Sequence, residues 1–243
     1  MKKIIVIGAS SGMGRRVACD FARLGWRVGI AARREDKLRE IKDMYPANVE
    51  YMTIDVAAPD AAERFNRLIE LIDGMDYLLY AAGCGWQNPS LDPARDEQTI
   101  ATNVLGFTRI INAAYLYYKA TANLHKGHIA AITSVAGTKG IGISATYSAS
   151  KRYQWTYLQA LDQLAHQQHV NVALTDIRPG FVDTPLLDKH YPMEMSLDYI
   201  APRLEKAIIL APRIKYIDSR WAVVTALWKL IPDPLWRRLQ LGI

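Results

Sequence analysis

The chain has 243 residues, of which 50% are hydrophobic and 22% are charged, and this balance excludes a disordered or a collagen-like protein. The length suits one globular domain whose core is large enough to be stable without disulfides or a structural metal. The net charge of +6 is modest and requires neither a nucleic acid nor a membrane as partner, and we expect no nucleic acid.

Short β-branched runs alternate with stretches of helical periodicity along the chain. The predicted strands are residues 3–7, 27–32, 49–54, 77–81, 128–133 and 170–177. The predicted helices between them are residues 13–24, 37–44, 60–72, 97–122 and 145–165. This alternation predicts an α/β fold, in which a doubly wound parallel sheet of Rossmann-like type lies between two helical layers. We expect residues 1–243 to form one domain for dinucleotide binding and catalysis.

The last quarter of the chain departs from this alternation. Residues 183–212 contain 4 prolines among scattered apolar side chains, a pattern that predicts an irregular substrate lid with short helices. Residues 213–243 form a tail rich in Trp and Arg, and residues 221–231 within it predict a short apolar helix.

The sequence also predicts a soluble protein of a reducing compartment. Its 2 cysteines form no Cys-x-x-Cys pair, which excludes a disulfide framework and a cysteine-based zinc site. No apolar stretch approaches the roughly 20 residues that cross a bilayer, and no signal peptide precedes the first strand. The 5 histidines form no ligand cluster, so we expect no metal. We expect a cytoplasmic location, with membrane-surface association left open by the tail.

A glycine-rich turn joins the first predicted strand to the first predicted helix, and it reads Gly8-Ala9-Ser10-Ser11-Gly12-Met13-Gly14. Glycines let the backbone approach a pyrophosphate closely, and the free N–H groups of a helix N-terminus attract its charge. A plain strand-to-helix turn is the alternative. The predicted dinucleotide-binding residues of the turn are Gly8, Ser10, Ser11, Gly12, Met13 and Gly14.

Two arginines, Arg33 and Arg34, follow the second predicted strand. In folds that bind NAD, an acidic residue roughly 20 positions after the glycines holds the ribose 2′-hydroxyl. An arginine there offers a planar fork that suits a 2′-phosphate instead. The pair therefore favours NADP(H) over NAD(H), and two solvated arginines at the start of a helix are the alternative.

Tyr147 and Lys151 lie four residues apart in a predicted helix, so their side chains share one face. A tyrosine is a weak acid at neutral pH, but a nearby ammonium group stabilises its phenolate. Such a pair can exchange a proton with a carbonyl or an alcohol, although the pair alone is common on helices. Ser134 follows the fifth strand at the carboxyl edge of the sheet, where ligands bind in this architecture, and its hydroxyl can donate to a substrate oxygen.

Several motifs of this kind occur in one order along the chain. They are Gly8-x-x-x-Gly12-x-Gly14, Asp55-Val56, Asn103-Val104-x-Gly106, Ser134, Tyr147-x-x-x-Lys151 and Pro179-Gly180-x-Val182-x-Thr184. In these motifs the sequence resembles the short-chain dehydrogenase/reductase family, in its short single-domain branch, over about residues 1–185. It departs from the family pattern at Tyr80-Ala81-Ala82-Gly83, where members usually carry Asn-Asn-Ala-Gly, so we expect altered support of the central sheet with the chemistry unchanged.

The resemblance implies catalytic roles for four residues. Tyr147 would be the general acid and base, and Ser134 would orient the substrate carbonyl. Lys151 would hold the nicotinamide ribose and lower the pKa of the tyrosine. Asn103 would maintain a bend in its helix and hold a water in a proton relay to Lys151, unless it is simply a polar helix residue.

The resemblance also implies further cofactor contacts. Asp55 and the backbone of Val56 would meet the adenine, and Thr184 and the backbone of Val182 would meet the nicotinamide carboxamide. Plainer roles stay open, with Asp55 as a turn residue and Thr184 as a cap of the lid. The remaining residues assigned to the cofactor are Ala82, Gly83, Tyr147, Lys151, Pro179 and Gly180.

These observations favour an NADP(H)-dependent oxidoreductase of the carbonyl reductase or alcohol dehydrogenase type. Apolar side chains in the lid favour an apolar small-molecule carbonyl substrate, unless they only pack the lid against the domain. A non-catalytic dinucleotide-binding regulator on the same fold is the main alternative, and the presence of Tyr147 and Lys151 argues against it. An epimerase or dehydratase acting on nucleotide sugars is disfavoured by the short chain and the glycine spacing.

Two segments predict contacts beyond the domain itself. The helix predicted for residues 97–122 is apolar on more than one face, so we expect a homodimer or a higher homo-oligomer. The tail carries six basic residues against two acidic ones and holds three of the 6 tryptophans. This composition suits either docking on the body of the protein or peripheral contact with an anionic membrane surface.

Overall fold

A computed structural model describes residues 1–121, 126–184 and 191–239. Its strands form one parallel sheet. They are β1 (Lys3–Ile7), β2 (Arg27–Ala32), β3 (Val49–Thr53), β4 (Tyr77–Tyr80), β5 (Gly127–Ile132), β6 (Val172–Arg178) and β7 (Ile214–Tyr216). Their spatial order is β3-β2-β1-β4-β5-β6-β7, which confirms the predicted doubly wound α/β fold.

Helices cover both faces of this sheet. They are α1 (Gly12–Arg23), α2 (Glu35–Met44), α3 (Ala61–Leu71), α4 (Pro93–Ile100), α5 (Phe107–Ala120), α6 (Ala145–Gln167), α7 (Leu197–Leu210), α8 (Ser219–Leu230) and α9 (Asp233–Trp236). Alternate residues of β1 point to opposite layers. Ile4 and Val6 pack with α1, α2 and α7, whereas Ile5 and Ile7 pack with α3, α5 and α6.

The strand order places two loops side by side. From β1 the chain proceeds outward to β2 and β3, and it then returns to form β4 on the other side of β1. The direction of winding therefore reverses between β1 and β4. In open α/β sheets the carboxyl ends of strands at such a reversal form the ligand-binding crevice. The turn after β1 and the loop after β4 both border this crevice.

The helix predicted for residues 97–122 differs from prediction. Its helical course starts earlier, at Pro93, and the Asp92 side chain caps it by accepting a hydrogen bond from the amide of Ala94 at 3.0 Å. A π-helical segment, Ala101–Gly106, then separates α4 from α5. Residue 122, the predicted end, lies outside the described residues.

The segment after β6 is also more regular than its prolines predict. Within residues 183–212 the chain forms α7, a helix of 14 residues that includes Pro202. Ile200, Leu204 and Ile208 of this helix are fully buried, and their burial outweighs the helical cost of the proline. Residues 185–190 lie outside the described part of the chain. The apolar helix predicted for residues 221–231 is confirmed as α8.

Candidate active site

The glycine-rich turn closes tightly over the end of β1. Gly8 has a φ of +89°, and a Cβ there would lie 2.5 Å from the amide nitrogen of Ala82. A Cβ on Gly14 would lie 2.4 Å from the carbonyl oxygen of Gly8. Side chains at either position would fill the cradle that α1 needs to present its first N–H groups to a pyrophosphate. The turn therefore fits the predicted dinucleotide.

The two arginines after β2 lie beside this turn. Both side chains are exposed. Arg34 donates hydrogen bonds to the hydroxyl of Ser10 at 2.8 Å and to that of Ser11 at 2.8 Å. Ser11 is the N-cap residue of α1, and its side chain does not cap the helix. The guanidinium of Arg34 is thus held next to uncapped helix N–H groups, and this arrangement attracts phosphate.

Asn103 ties the π-helical segment to the loop after β4. Its amide donates to the carbonyl oxygen of Cys84 at 2.7 Å and accepts from the Cys84 amide at 3.0 Å. The same side chain donates to the Ser150 hydroxyl at 3.0 Å. The buried Tyr80, the last residue of β4, donates a hydrogen bond to the carbonyl oxygen of Thr102 at 3.1 Å. Tyr80, which replaces a family amide, therefore supports the helix that follows.

Ser134 and Tyr147 face one another across the carboxyl edge of the sheet. Ser134 follows β5, and its hydroxyl accepts a hydrogen bond from the amide of Ala136 at 3.1 Å. Burial raises the pKa of Tyr147 above its ordinary value, and interaction with the Ser134 hydroxyl offsets part of that increase. The tyrosine is therefore a protonated donor at neutral pH.

Gly85 makes room for the tyrosine, and sequence reasoning did not identify it. A Cβ on Gly85 would lie 2.1 Å from Cδ2 of Tyr147, so the ring occupies the space that any side chain at residue 85 would need. A glycine in a loop gives no signal of this kind before the facing helix is placed.

Lys151 is buried beneath the tyrosine. Its Nζ lies 5.7 Å from the centroid of the Tyr147 ring. The ammonium donates to the carbonyl oxygen of Ile132 at 3.3 Å and to Oε1 of Gln154 at 3.2 Å. Burial lowers the pKa of Lys151 to about 8. Gln154 is a second residue that the sequence motifs did not single out.

Asp55 takes the plainer of its two predicted roles in this structure. Its side chain is exposed and accepts a hydrogen bond from the amide of Ala57 at 3.0 Å, which forms a local turn. The adjacent Val56 is buried, and a Cβ on Gly106 would lie 2.6 Å from it. The turn is shown, whereas contact with adenine stays a prediction.

Val182 and Thr184 approach the glycine-rich turn from the far side. The methyl carbon of Thr184 lies 3.2 Å from the position that a Cβ of Gly12 would take. Val182 forms an isolated parallel bridge with Met195, and the hydrogen bonds of that bridge come from the residues on either side of Val182. In such a bridge the N–H and C=O of the central residue point away from the partner strand. This orientation leaves them available to a carboxamide.

One cavity of about 210 Å³ brings these parts together. Ser134, Tyr147 and Lys151 all line it. The other walls come from the α1 turn, the loop after β4, the end of β5 with the segment that follows it, the segment after β6 and α8. Their main residues are Met13, Gly83, Gly85, Trp86, Gln87, Ile141, Ile143, Pro179, Gly180, Phe181, Val182, Thr184, Tyr191, Trp221 and Trp228. Three of the four predicted catalytic residues thus border one space, and Asn103 is not among its lining residues. The predicted cofactor residues that line it are Met13, Gly83, Tyr147, Lys151, Pro179, Gly180, Val182 and Thr184.

Comparison with known proteins identifies the family. Residues 2–195 match the family described as short chain dehydrogenase. An uncharacterized oxidoreductase of Myxococcus xanthus is 31% identical over 249 residues, which cover 97% of this chain and 96% of that protein. The chain belongs to the short-chain dehydrogenase family.

Solved structures agree with this short-chain dehydrogenase fold. A short-chain dehydrogenase/reductase from Burkholderia phymatum, solved in complex with NAD, gives a TM-score of 0.83 at 19% identity, covering 99% of this chain and 98% of that one. An alcohol dehydrogenase from the archaeon Thermococcus sibiricus, solved with 5-hydroxy-NADP, gives a TM-score of 0.73 at 23% identity, covering 89% and 95%. At these identities the likeness establishes the fold.

No helix among residues 1–121, 126–184 and 191–239 is both long and apolar enough to traverse a bilayer. Within the same ranges no three His, Cys, Asp or Glu side chains are grouped as metal ligands would be.

Proposed function

We propose that this short-chain dehydrogenase interconverts an apolar carbonyl compound and its alcohol with NADP(H). The observation that carries the proposal is the convergence of Ser134, Tyr147 and Lys151 on the cavity that also borders the glycine-rich turn. A regulator that only bound the dinucleotide would not need a buried ammonium next to a half-buried phenol that lines the cavity. The family membership supplies the class of reaction, and the residues in the cavity supply its acid and base.

Each of these side chains has a distinct task in the proposed reaction. The bound nicotinamide supplies the hydride or accepts it. Tyr147 donates its hydroxyl proton to the carbonyl oxygen, and Ser134 donates a hydrogen bond to the same oxygen. The ammonium of Lys151, 5.7 Å from the centre of the tyrosine ring, stabilises the phenolate that remains. In the oxidative direction the phenolate removes the alcohol proton.

The preference for NADP(H) is supported by the arginines after β2. Arg34 is fixed against the turn by its bonds to Ser10 and Ser11, and Arg33 is exposed beside it. Two guanidinium groups at this place favour a cofactor with an additional phosphate.

The apolar substrate is supported by an aromatic wall. Phe181 stacks on Tyr191 with ring centroids 4.3 Å apart and meets the edge of Trp221 at 5.6 Å. Trp86 and Trp228 line the same cavity. Flat apolar rings around one acidic hydroxyl suit an aromatic or alicyclic ketone or aldehyde better than a phosphorylated sugar.

The proposal is tested by Tyr147→Phe, which keeps the ring and removes the proton donor. We expect kcat for NADPH-dependent reduction of the best ketone or aldehyde in a screen to fall by about 10²-fold or more. The Kd for NADPH, measured by nicotinamide fluorescence, should stay within a few-fold of the wild type. A Phe variant that reduces the same substrate at the wild-type rate would exclude Tyr147 as the acid.

The cofactor preference is tested separately by Arg33→Ala combined with Arg34→Ala. We expect the wild type to prefer NADPH over NADH by at least ~10-fold in kcat/KM, and the double variant to lose most of this preference. Arg39→Ala is the control, because Arg39 lies on α2 and pairs with Glu35 on the surface. Equal use of both cofactors by the wild type would contradict the assignment.

Cellular location and partners stay predictions. A cytoplasmic protein that forms a homodimer and touches membrane surfaces through its tail is compatible with the proposed chemistry, which depends on none of the three.

A further inference from the structure

Gln154 joins two parts of the site that the sequence motifs describe separately. Its side chain is completely buried, on α6 one turn after Lys151. Oε1 accepts a hydrogen bond from the Lys151 ammonium at 3.2 Å. Nε2 donates to the carbonyl oxygen of Asn103 at 2.9 Å. The amide therefore bridges the buried lysine and the π-helical segment.

The chemistry of the two partners fixes the orientation of this amide. An ammonium group only donates and a backbone carbonyl only accepts, so the Gln154 oxygen must face Lys151 and its nitrogen must face Asn103. In the reversed amide, the NH2 group would face the Lys151 ammonium, which is another donor. The amide oxygen would face the Asn103 carbonyl, which is another acceptor. The negative end of the amide dipole is thus directed at the ammonium, and the Asn103 carbonyl prevents it from rotating away.

The bridge acts on a lysine whose charge is costly to bury. Burial lowers the pKa of Lys151 to about 8. The titratable groups that face it are Tyr147 on its own helix, Cys84 in the loop after β4 and Asp176 on β6. Interactions with Cys84 and Asp176 offset only part of this decrease in the pKa of Lys151. Hydrogen-bond acceptors stabilise the charged form of a buried lysine, and the acceptors in contact with its Nζ are the Ile132 carbonyl and the Gln154 amide.

The Asn103 end of this bridge contacts the loop after β4. Asn103 bonds both backbone groups of Cys84, and a Cβ on the preceding Gly83 would lie 3.5 Å from the Lys151 ammonium. Gln154, Asn103 and this loop therefore enclose Lys151 on one side. The side-chain amide of Gln154 thus links the lysine directly to the backbone of Asn103.

We propose that Gln154 is a positioning residue that holds Lys151 in its charged form and in place, by linking its ammonium to the carbonyl of Asn103. The inference rests on the proposed function, in which the charged lysine supports Tyr147 and the cofactor ribose. Gln154 itself touches neither substrate nor cofactor in this scheme.

The test measures the titration of Lys151 directly, in protein without cofactor. Lysine labelled with carbon-13 at the ε position is followed by NMR against pH, and the Lys151 signal is assigned by its loss in Lys151→Met. Gln154→Leu removes the acceptor at similar volume, and we expect the pKa of Lys151 to fall by about one unit. Gln154→Glu places a carboxylate beside the ammonium, and we expect the pKa to rise by at least as much.

The kinetic profile should move with the titration. Reduction requires the charged lysine, so the alkaline limb of the kcat profile should shift to lower pH in Gln154→Leu and to higher pH in Gln154→Glu. Shifts of opposite sign are not produced by a loss of stability. Asn48→Leu is the control, because it removes an amide with two bonds to backbone carbonyls, of Ala22 and Trp26, at the opposite edge of the sheet. It should lower the melting temperature and leave both profiles unchanged.

The outcomes separate the two proposals. If Lys151 titrates at the wild-type pH in both Gln154 variants, the inference is wrong even when carbonyl reduction and its loss in Tyr147→Phe are found. If the titration moves as expected but no carbonyl is reduced by the wild type, the proposed function is wrong and the link from Gln154 to Lys151 stands. Should the Leu variant not fold, the upward shift in Gln154→Glu decides the matter alone.

Discussion

The position of the Tyr147 ring depends on the absence of one atom at Gly85. A Cβ there would lie 2.1 Å from Cδ2 and 2.8 Å from Cγ of the ring, too close for either group to remain in place. The backbone of Gly85 lies outside the left-handed region, so an alanine would act through this contact and not through strain in φ.

We therefore expect Gly85→Ala to displace the phenol and lower kcat for carbonyl reduction by about 10²-fold, the usual cost of misplacing a reacting group by about 1 Å. Gly142→Ala is the matched control, since Gly142 lies on the adjoining rim of the site and a Cβ there meets nothing within 4 Å. Steady-state kinetics with thermal unfolding of both variants make the comparison. Wild-type turnover in Gly85→Ala would show that the ring position is not set by this glycine.

Residue chemistry explains which site residues could be predicted. Tyr147, Lys151 and Ser134 could be predicted because they belong to a set of ordered motifs that resembles one family, and the structure places all three on one cavity. Gln154 and Gly85 carry no such signal, because their roles depend on contacts with Asn103 and Tyr147, which lie on other elements. Asp55 makes a local turn with the amide of Ala57, and its predicted contact with adenine stays a prediction.

At the scale of elements, α5 shows how far an apolar pattern predicts burial. Most of its apolar side chains, including Phe107, Ile110 and Ile111, are covered by the sheet and neighbouring helices of the same chain. The part of the predicted helix that stays uncovered is a narrower apolar strip formed by Ile100, Leu105 and Leu116. Leu105 and Leu116 are 51% and 60% exposed, and Ile100 is 44% exposed. Beside this strip, Tyr153 and Tyr157 of α6 stack with centroids 5.5 Å apart.

We expect this strip to join two copies of the chain in a homodimer. Light scattering at micromolar concentration should then give about twice the chain mass of 27.3 kDa. Leu116→Lys should shift the mass toward the monomer, because a charge would be buried against the second copy. Leu71→Lys, at an exposed leucine of α3, should leave the dimer intact. A monomeric wild type would contradict the prediction.

Elements with an uninterrupted pattern were predicted well, whereas the very short β7, the interrupted helix of residues 97–122 and the proline-containing α7 were not. The first strands and helices match because their patterns continue over several turns or alternations. β7 has 3 residues, too few to show a pattern, and it is defined by pairing with β6. The π-helical segment Ala101–Gly106 is stabilised by hydrogen bonds that join Thr102 to Tyr80 and Asn103 to Cys84. Both partners are distant in sequence, so local helix propensity does not reveal these bonds.

At the scale of the whole molecule, the tail contributes to the site and also presents a separate surface. Trp236 donates to the carbonyl oxygen of Gly140 at 2.7 Å, and Lys139 donates to that of Ile231 at 3.1 Å. Together with Trp221 and Trp228 in the cavity wall, these contacts dock α8 and α9 on the body of the protein. Docking was one of the two roles that the composition of the tail predicted.

The outward side of the tail is apolar and is not explained by docking. Val223, Leu227 and Leu230 recur at helical spacing on α8 and are 61%, 57% and 78% exposed. Lys229 of the same helix is exposed, as are Arg237 and Arg238, which follow α9. Apolar side chains bordered by basic ones suit the boundary between lipid headgroups and acyl chains, where attraction to anionic lipid adds to apolar burial.

We therefore expect the protein to sediment with vesicles rich in anionic phosphatidylserine at low salt and to dissociate partly at high salt. Burial of an exposed leucine contributes roughly 1.5–3 kcal/mol, so Leu227→Glu with Leu230→Glu should lower the bound fraction at least tenfold. Leu71→Glu, on α3, is the control for a general effect of charge. Wild-type protein that stays in the supernatant with anionic vesicles at low salt would refute membrane contact and leave docking as the only function of the tail.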